Sequence, residues 1–143
     1  MFKTDYIKDF DAWNMRQKNL EKRDINFEFS EREIWWCALG VNTGSELDGK
    51  NLMFERPVVI LHKVNKDMCL VAPLTSTLKD HGDRVELFVA GTLSQVMLSQ
   101  TRFVSSKRLL RKIHKCKMTI FQKIILELIS LLLKYKREKR NPA

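Results

Sequence analysis

The groups able to do chemistry sit in three polar clusters that crowd beside apolar, strand-forming runs. The first is the loop Gly40-Val41-Asn42-Thr43-Gly44-Ser45-Glu46-Leu47-Asp48-Gly49, followed by Glu55-Arg56-Pro57-Val58-Val59-Ile60. The second, Pro73-Leu74-Thr75-Ser76-Thr77, follows a strand pattern, and the third, Leu98-Ser99-Gln100-Thr101-Arg102, lies inside one. Loops that carry polar groups at the ends of rigid strands are the usual way a barrel builds a site. Together the clusters offer guanidinium, hydroxyl, carboxylate and amide groups. The amides of Asn42 and Gln100 are able to read base edges, although a structural hydrogen bond would use either equally well. Cys37, Cys69 and Cys116 are widely spaced without a CxxC pair, and His62, His81 and His114 are equally scattered. No metal site, cofactor or disulfide framework is therefore expected, and the thiols read as reduced and mostly buried.

The net charge of +9 on 143 residues makes a polyanion the favoured partner, since each cation that neutralises a phosphate also releases a condensed counterion. Nucleic acid comes first. An acidic protein would satisfy the same field, and an anionic membrane surface is a weaker third option for the basic run at 134–140. With 44% hydrophobic and 30% charged residues the composition is that of a globular chain of one domain. Asp5, Lys8, Asp9 and Asp11 interrupt any secretory pattern, and Glu127 interrupts the longest apolar stretch, so a cytoplasmic protein without a membrane span is expected.

The elements that must position these groups are mainly strands. Residues 5–22 read as a helix capped by Thr4, with Tyr6, Phe10, Trp13 and Leu20 on one face, appended to the domain or to a second subunit. From Glu33 the period changes: residues 34–39 form a strand ending in Gly40, and 41–55 form an exposed loop. Strands are predicted at 57–64, 69–72, 85–90 and 96–104, a spacing that favours a small barrel over a parallel sheet. The tail reads as a helix opened by a Thr119/Gln122 capping box, with Phe121, Ile124, Ile125, Leu128 and Leu132 on one face against the barrel or a dimer seam. The predicted fold class is α+β, mainly β: a small SH3-like barrel with a C-terminal helix and an appended N-terminal helix. The predicted division is an extension at 1–30, a barrel domain with its helix at 31–137, and a basic tail at 138–143.

Five segments, taken in order, resemble the MazF/PemK family of bacterial toxin endoribonucleases. They are Glu33-Ile34-Trp35-Trp36, the run Gly44-Ser45-Glu46-Leu47-Asp48-Gly49-Lys50, the strand opening Arg56-Pro57-Val58-Val59-Ile60, the turn Pro73-Leu74-Thr75-Ser76, and Leu98-Ser99-Gln100-Thr101-Arg102 running on to Ser106-Lys107-Arg108-Leu109. The resemblance covers about residues 31–133. It implies a CcdB-type SH3-like barrel acting as a homodimer, the toxin of a type II toxin–antitoxin pair. Such a toxin cuts single-stranded RNA, including messenger RNA, at short sequences without a metal, and it binds an acidic antitoxin and, with it, DNA. It also implies that Arg56 and Thr75 are the catalytic pair, with Glu46 as the carboxylate of the site. The chemistry agrees, because attack of a ribose 2′-OH on the adjacent phosphorus builds negative charge that a permanently cationic, planar guanidinium suits. Thr75 would orient the phosphate, and Glu46 would either accept the 2′-OH proton or hold the guanidinium. Asn42, Ser45, Ser76, Ser99, Gln100 and Arg102 are the implied RNA-binding residues.

Two departures from the family pattern bear on this. Ser99 stands where some relatives carry a carboxylate thought to share proton transfer. Residues 51–55 are inserted between Lys50 and Arg56, bringing Leu52, Met53 and Phe54, which cap the groove, stack on a base or, as favoured here, pack on the N-terminal helix. Arg102, Lys107, Arg108, Arg111 and Lys112 read as positive surface near the site or as solvated helix charge. Two other readings stand beside the nuclease: a non-catalytic member of the fold that inhibits a protein target such as DNA gyrase, and a plain RNA-binding barrel. The joint presence of Arg56 and Thr75 speaks against the first.

Overall fold

The computed structural model describes residues 6–51, 53–80 and 82–133. A helix α1 (Phe10–Glu21) precedes a run of strands β1 (Glu33–Ala38), β2 (Glu55–Lys63), β3 (Met68–Thr75), β4 (Arg84–Val89), β5 (Thr92–Met97), β6 (Arg102–Ser105) and β7 (Leu109–Lys115), and helix α2 (Met118–Leu133) follows. The strands form one curled antiparallel sheet in the order β4-β5-β3-β2-β1-β7. Its curl comes from a fork at β3, whose first half, Met68 to Val71, pairs with β6 while Leu74 and Thr75 pair with β5. The result is a curled half-barrel sheet with one helix before it and one after it, the mainly-β class expected from the sequence as a small SH3-like barrel.

Period-two alternation in β1, β2 and β3 feeds two cores. Trp35, Cys37, Val58, Ile60, Val71 and Leu109 form one of them. Ile34, Val59, Ala72 and Leu74 face the other way, where Phe121, Ile124, Ile125 and Leu128 of α2 cover them. Strands buried on both faces read as continuous apolar runs, which is why this part of the sheet was legible. A third cluster docks α1: Trp13 and Leu20 pack with Ala38, Val41 and Phe54. Trp13 lies so close over Gly40 that a Cβ there would sit 2.0 Å from its ring. Among the described residues, no helix is long and apolar enough to cross a membrane.

Several boundaries differ from the sequence expectation. Helix α1 starts at Phe10, because Asp9 accepts the Ala12 N–H and caps it; Thr4 lies outside the described residues. Tyr6 and Phe10 are exposed, so only Trp13 and Leu20 of the expected face are buried. The predicted strand at 96–104 is two strands joined by a 3₁₀ turn, Leu98–Gln100, that carries the chain across the fork in β3. Arg111 and Lys112 lie on strand β7 and not on a helix; β7 pairs with β1 but is mostly exposed, so it lacks an apolar alternation. Helix α2 begins before Thr119, which is inside its first turn, since the Phe121 N–H already donates to the Lys117 carbonyl. The Cys116 N–H donates to the Arg32 carbonyl, and the Arg32 guanidinium binds the Cys116 carbonyl, fixing where β7 hands over to the helix. Leu132 is exposed and does not join the buried face of α2. The predicted basic tail falls outside the described residues.

Candidate active site

Arg56 is the second residue of β2, and strand register decides what it faces. Val58 pairs with Pro73, Val59 with Ala72 and Ile60 with Val71. Continuing that register by two residues sets Arg56 opposite Thr75, so the sheet brings together two groups nineteen positions apart in the chain. Both line one cleft of about 350 Å³, together with Ser76, Glu55, Lys50 and Trp36. Arg56 is only 7% exposed. Its Nε donates to the Asp48 carbonyl at 3.0 Å and its Nη1 to the Leu74 carbonyl at 3.4 Å, which fixes the plane of the guanidinium. Burial lowers its pKa while the Asp48 carboxylate opposes the shift; an arginine stays cationic regardless. The Thr75 Oγ1 accepts the Thr77 N–H at 3.1 Å, leaving the hydroxyl proton to be donated into the cleft.

The remaining expected residues gather elsewhere. Asn42, Glu46, Ser99, Gln100 and Arg102 line a second cleft of about 390 Å³. Pro73 lines this cleft and Leu74 the first, so the end of β3 divides them. The amides here make structural bonds: Asn42 Nδ2 donates to the Leu39 and Leu47 carbonyls, and Gln100 Oε1 accepts the Leu47 N–H. Ser99 Oγ donates to Asp83 at 2.5 Å. Ser45 is exposed on the loop, its carbonyl facing Gln100. Glu46 is also exposed, and its carboxylate accepts the Thr43 N–H within its own turn. Arg56 is therefore held by Asp48 and Leu74 and not by Glu46, which is neither desolvated nor in the cleft of Arg56.

Sequence reasoning passed over two acidic residues that organise the site. Asp48 is the keystone of the loop: its carboxylate accepts the Asn42 N–H at 2.6 Å and the Tyr6 hydroxyl at 3.0 Å and lies 3.4 Å from Lys8 Nζ. Glu55, buried like Arg56, takes Arg111 at 2.7 Å and Asn51 at 3.2 Å. The Arg111 hydrogen bond holds the Glu55 carboxyl below the usual carboxylate range, against the opposing effect of burial. Arg111 in turn lies 5.0 Å over the Trp36 ring. The signal was present, since Glu55 adjoins Arg56 and Asp48 stands in the loop motif, but their partners come from β7 and the N-terminal segment. Of the inserted residues, Phe54 packs on Trp13 with ring centroids 5.5 Å apart, the favoured reading, whereas Met53 is exposed and Leu52 lies outside the described residues. Among the described residues no group of three or more His, Cys, Asp or Glu side chains is placed to hold a metal ion.

A sequence model of the PemK-like, MazF-like toxins of type II toxin–antitoxin systems matches residues 30–132. The chain belongs to this toxin family. Solved structures similar to this MazF-like toxin include MazF from Deinococcus radiodurans, at 19% identity and a TM-score of 0.64 over 75% of this chain and 98% of that one. A MazE–MazF complex from the same organism aligns at 17% identity and a TM-score of 0.57, over 75% of this chain and 97% of that one. An endoribonuclease in complex with its cognate antitoxin, from a mycobacterial species, aligns at 13% identity and 0.56, over 73% and 95%. At such identities the likeness is one of fold. No curated protein sequence matches the chain. In this toxin Arg56, Thr75 and Glu46 lie inside the family match, whereas α1 and the segment before it lie outside.

Proposed function

We propose that this toxin is a sequence-specific endoribonuclease that cuts single-stranded RNA without a metal ion, at the cleft holding Arg56 and Thr75. The observation that carries the reading is the meeting of a buried, doubly anchored guanidinium and a turn-fixed hydroxyl across neighbouring strands in one open cleft. In the reaction a ribose 2′-oxygen forms a bond to the adjacent phosphorus, and the bond from phosphorus to the 5′-oxygen breaks. The 2′ proton leaves to a base, and the departing 5′-oxygen takes up a proton. The five-coordinate transition state carries more negative charge than the diester. A preorganised cation stabilises that charge without reorganising. Thr75 donates to a non-bridging oxygen and aligns the phosphate. Glu55 is the carboxylate lining this cleft; being held ionised by Arg111, it suits orientation of the 2′-OH better than strong proton abstraction. Glu46, with Asn42, Ser45, Ser99, Gln100 and Arg102, serves the RNA strand at the second cleft and its loop, while Ser76 serves it beside Thr75. The toxin acts in the cytoplasm as a homodimer restrained by an acidic antitoxin, with which it also binds DNA. The net charge of +9 supports both polyanionic partners.

The test is to map the ends of RNA fragments made by the pure protein in EDTA. Fragments with 5′-hydroxyl and 2′,3′-cyclic phosphate ends at a short recurring sequence, and no cutting where the scissile nucleotide is 2′-deoxy, are expected. Cutting only after magnesium is added, or cutting of the deoxy substrate, would overturn the scheme.

A further inference from the structure

A third cleft lies beside the two already described and also borders Arg56. It has a volume of about 540 Å³ and lies between the N-terminal segment and the inserted loop, walled by Tyr6, Ile7, Asp48, Lys50, Phe54 and Arg56. That volume is in the range of small-ligand sites. It shares a wall with the candidate active cleft, because Lys50, Asn51 and Arg56 line both. A phosphate resting on Arg56 therefore lies beside this space.

The groups in the cleft suit a nucleotide. Tyr6 is 67% exposed, yet its hydroxyl is anchored to Asp48 at 3.0 Å, so an accessible aromatic side chain is held in a fixed place. Such a side chain stacks on any base at little entropic cost. Exposed Ile7 extends the apolar surface beside it, and exposed Lys50 adds a cation on the side of Arg56. The two carboxylates in the wall do not oppose a phosphate freely: Asp9 caps α1, and Asp48 is engaged by Lys8, Tyr6 and the Asn42 N–H. Lys8 also donates to the Asn42 and Gly44 carbonyls, and Trp13 anchors the following helix on Gly40, so the wall is held at both ends.

We propose that this cleft is a nucleotide subsite in which the base next to the scissile phosphate stacks on Tyr6 while Lys50 and Arg56 hold its phosphate. The proposal rests on the nuclease reading of the Arg56 cleft and adds to it a specificity-determining part. One wall of it, with Tyr6, Ile7 and Asp9, precedes the family match at residue 30, whereas Lys50 and Arg56 lie within that match.

A coupling experiment with the full chain tests it. Single abasic substitutions are placed on either side of the cut in an RNA substrate, and each is combined with wild-type protein, Tyr6→Ala and Tyr6→Phe. The same set is read by binding, with an all-2′-O-methyl oligoribonucleotide that cannot be cleaved. One abasic position is expected to cost the wild type about tenfold, the size of one stacked base. That penalty should vanish in Tyr6→Ala and persist in Tyr6→Phe, which keeps the ring. Equal abasic penalties in wild type and Tyr6→Ala, in both readouts, would overturn the subsite. So would Tyr6→Ala weakening an acidic antitoxin peptide while leaving the oligonucleotide unaffected, since the cleft would then serve a protein. If wild type binds with the Tyr6-dependent pattern but cuts nothing, the nuclease reading fails and the subsite stands.

Discussion

Arg56 owes its place to its neighbours more than to its own chemistry. Pro57 has no N–H to give and continues an extended strand, while the Asp48 and Leu74 carbonyls take two of the guanidinium donors and leave the rest toward the cleft. Thr75 is constrained differently, since its oxygen already accepts the Thr77 N–H. A serine could make the same bond, so Thr75→Ser should keep most of the cleavage rate, while Thr75→Ala should lose about tenfold, the worth of one hydrogen bond to a charged group. Initial rates on one defined RNA would check both, and equal rates for the alanine variant and wild type would remove Thr75 from the reaction. Arg56 and Thr75 were legible as candidates because their motifs survive in the sequence. Glu46 shows the limit of that route: its motif is intact, but the turn at Thr43 points its carboxylate into its own loop. Nothing in residue type or spacing reports where a loop side chain turns.

The register of β2 on β3 carries Arg56 to Thr75, and it is specified because both faces of these strands are buried; a slip of one residue would turn every side chain to the wrong core. That continuous burial made β1, β2 and β3 readable. Strand β7 and the break at Leu98–Gln100 were not readable, because one is polar along an exposed edge and the other is set by the fork in β3, a tertiary event. Helix α1 docks through the Trp13 and Leu20 cluster, which includes one especially close approach. Gly40 has φ of +81°, and an added Cβ would meet the Trp13 ring. Gly40→Ala should therefore undock α1 and cost about 1–3 kcal/mol by strain and overpacking, seen as a lower thermal midpoint and a red-shifted tryptophan emission. An unchanged midpoint would mean that α1 is not held through this contact.

On the scale of the whole molecule, one sheet carries two faces with different work. Its rim gathers three clefts, two of which share Arg56. Its other face is covered by α2, whose outer side presents Leu126, Ile129 and Leu133 at 63%, 45% and 68% exposure, spaced as one helical stripe. An uncovered stripe of this kind supports the homodimer reading. Leu126→Glu combined with Ile129→Glu should shift sedimentation from dimer to monomer without loss of secondary structure; a wild type that stays monomeric at high concentration would contradict the dimer. The basic charge, read from composition alone, pointed to a polyanion but not to its seat, which depends on how strands far apart in sequence come together.

The central claim is that Arg56 supplies charge to a phosphoryl transition state, and single-turnover cleavage of one mapped RNA in EDTA by wild type and Arg56→Ala measures it most directly. With matching circular dichroism and sedimentation, the variant should be slower by at least about a hundredfold, the loss typical of removing one preorganised oxyanion donor. Cleavage at the wild-type rate would contradict the account.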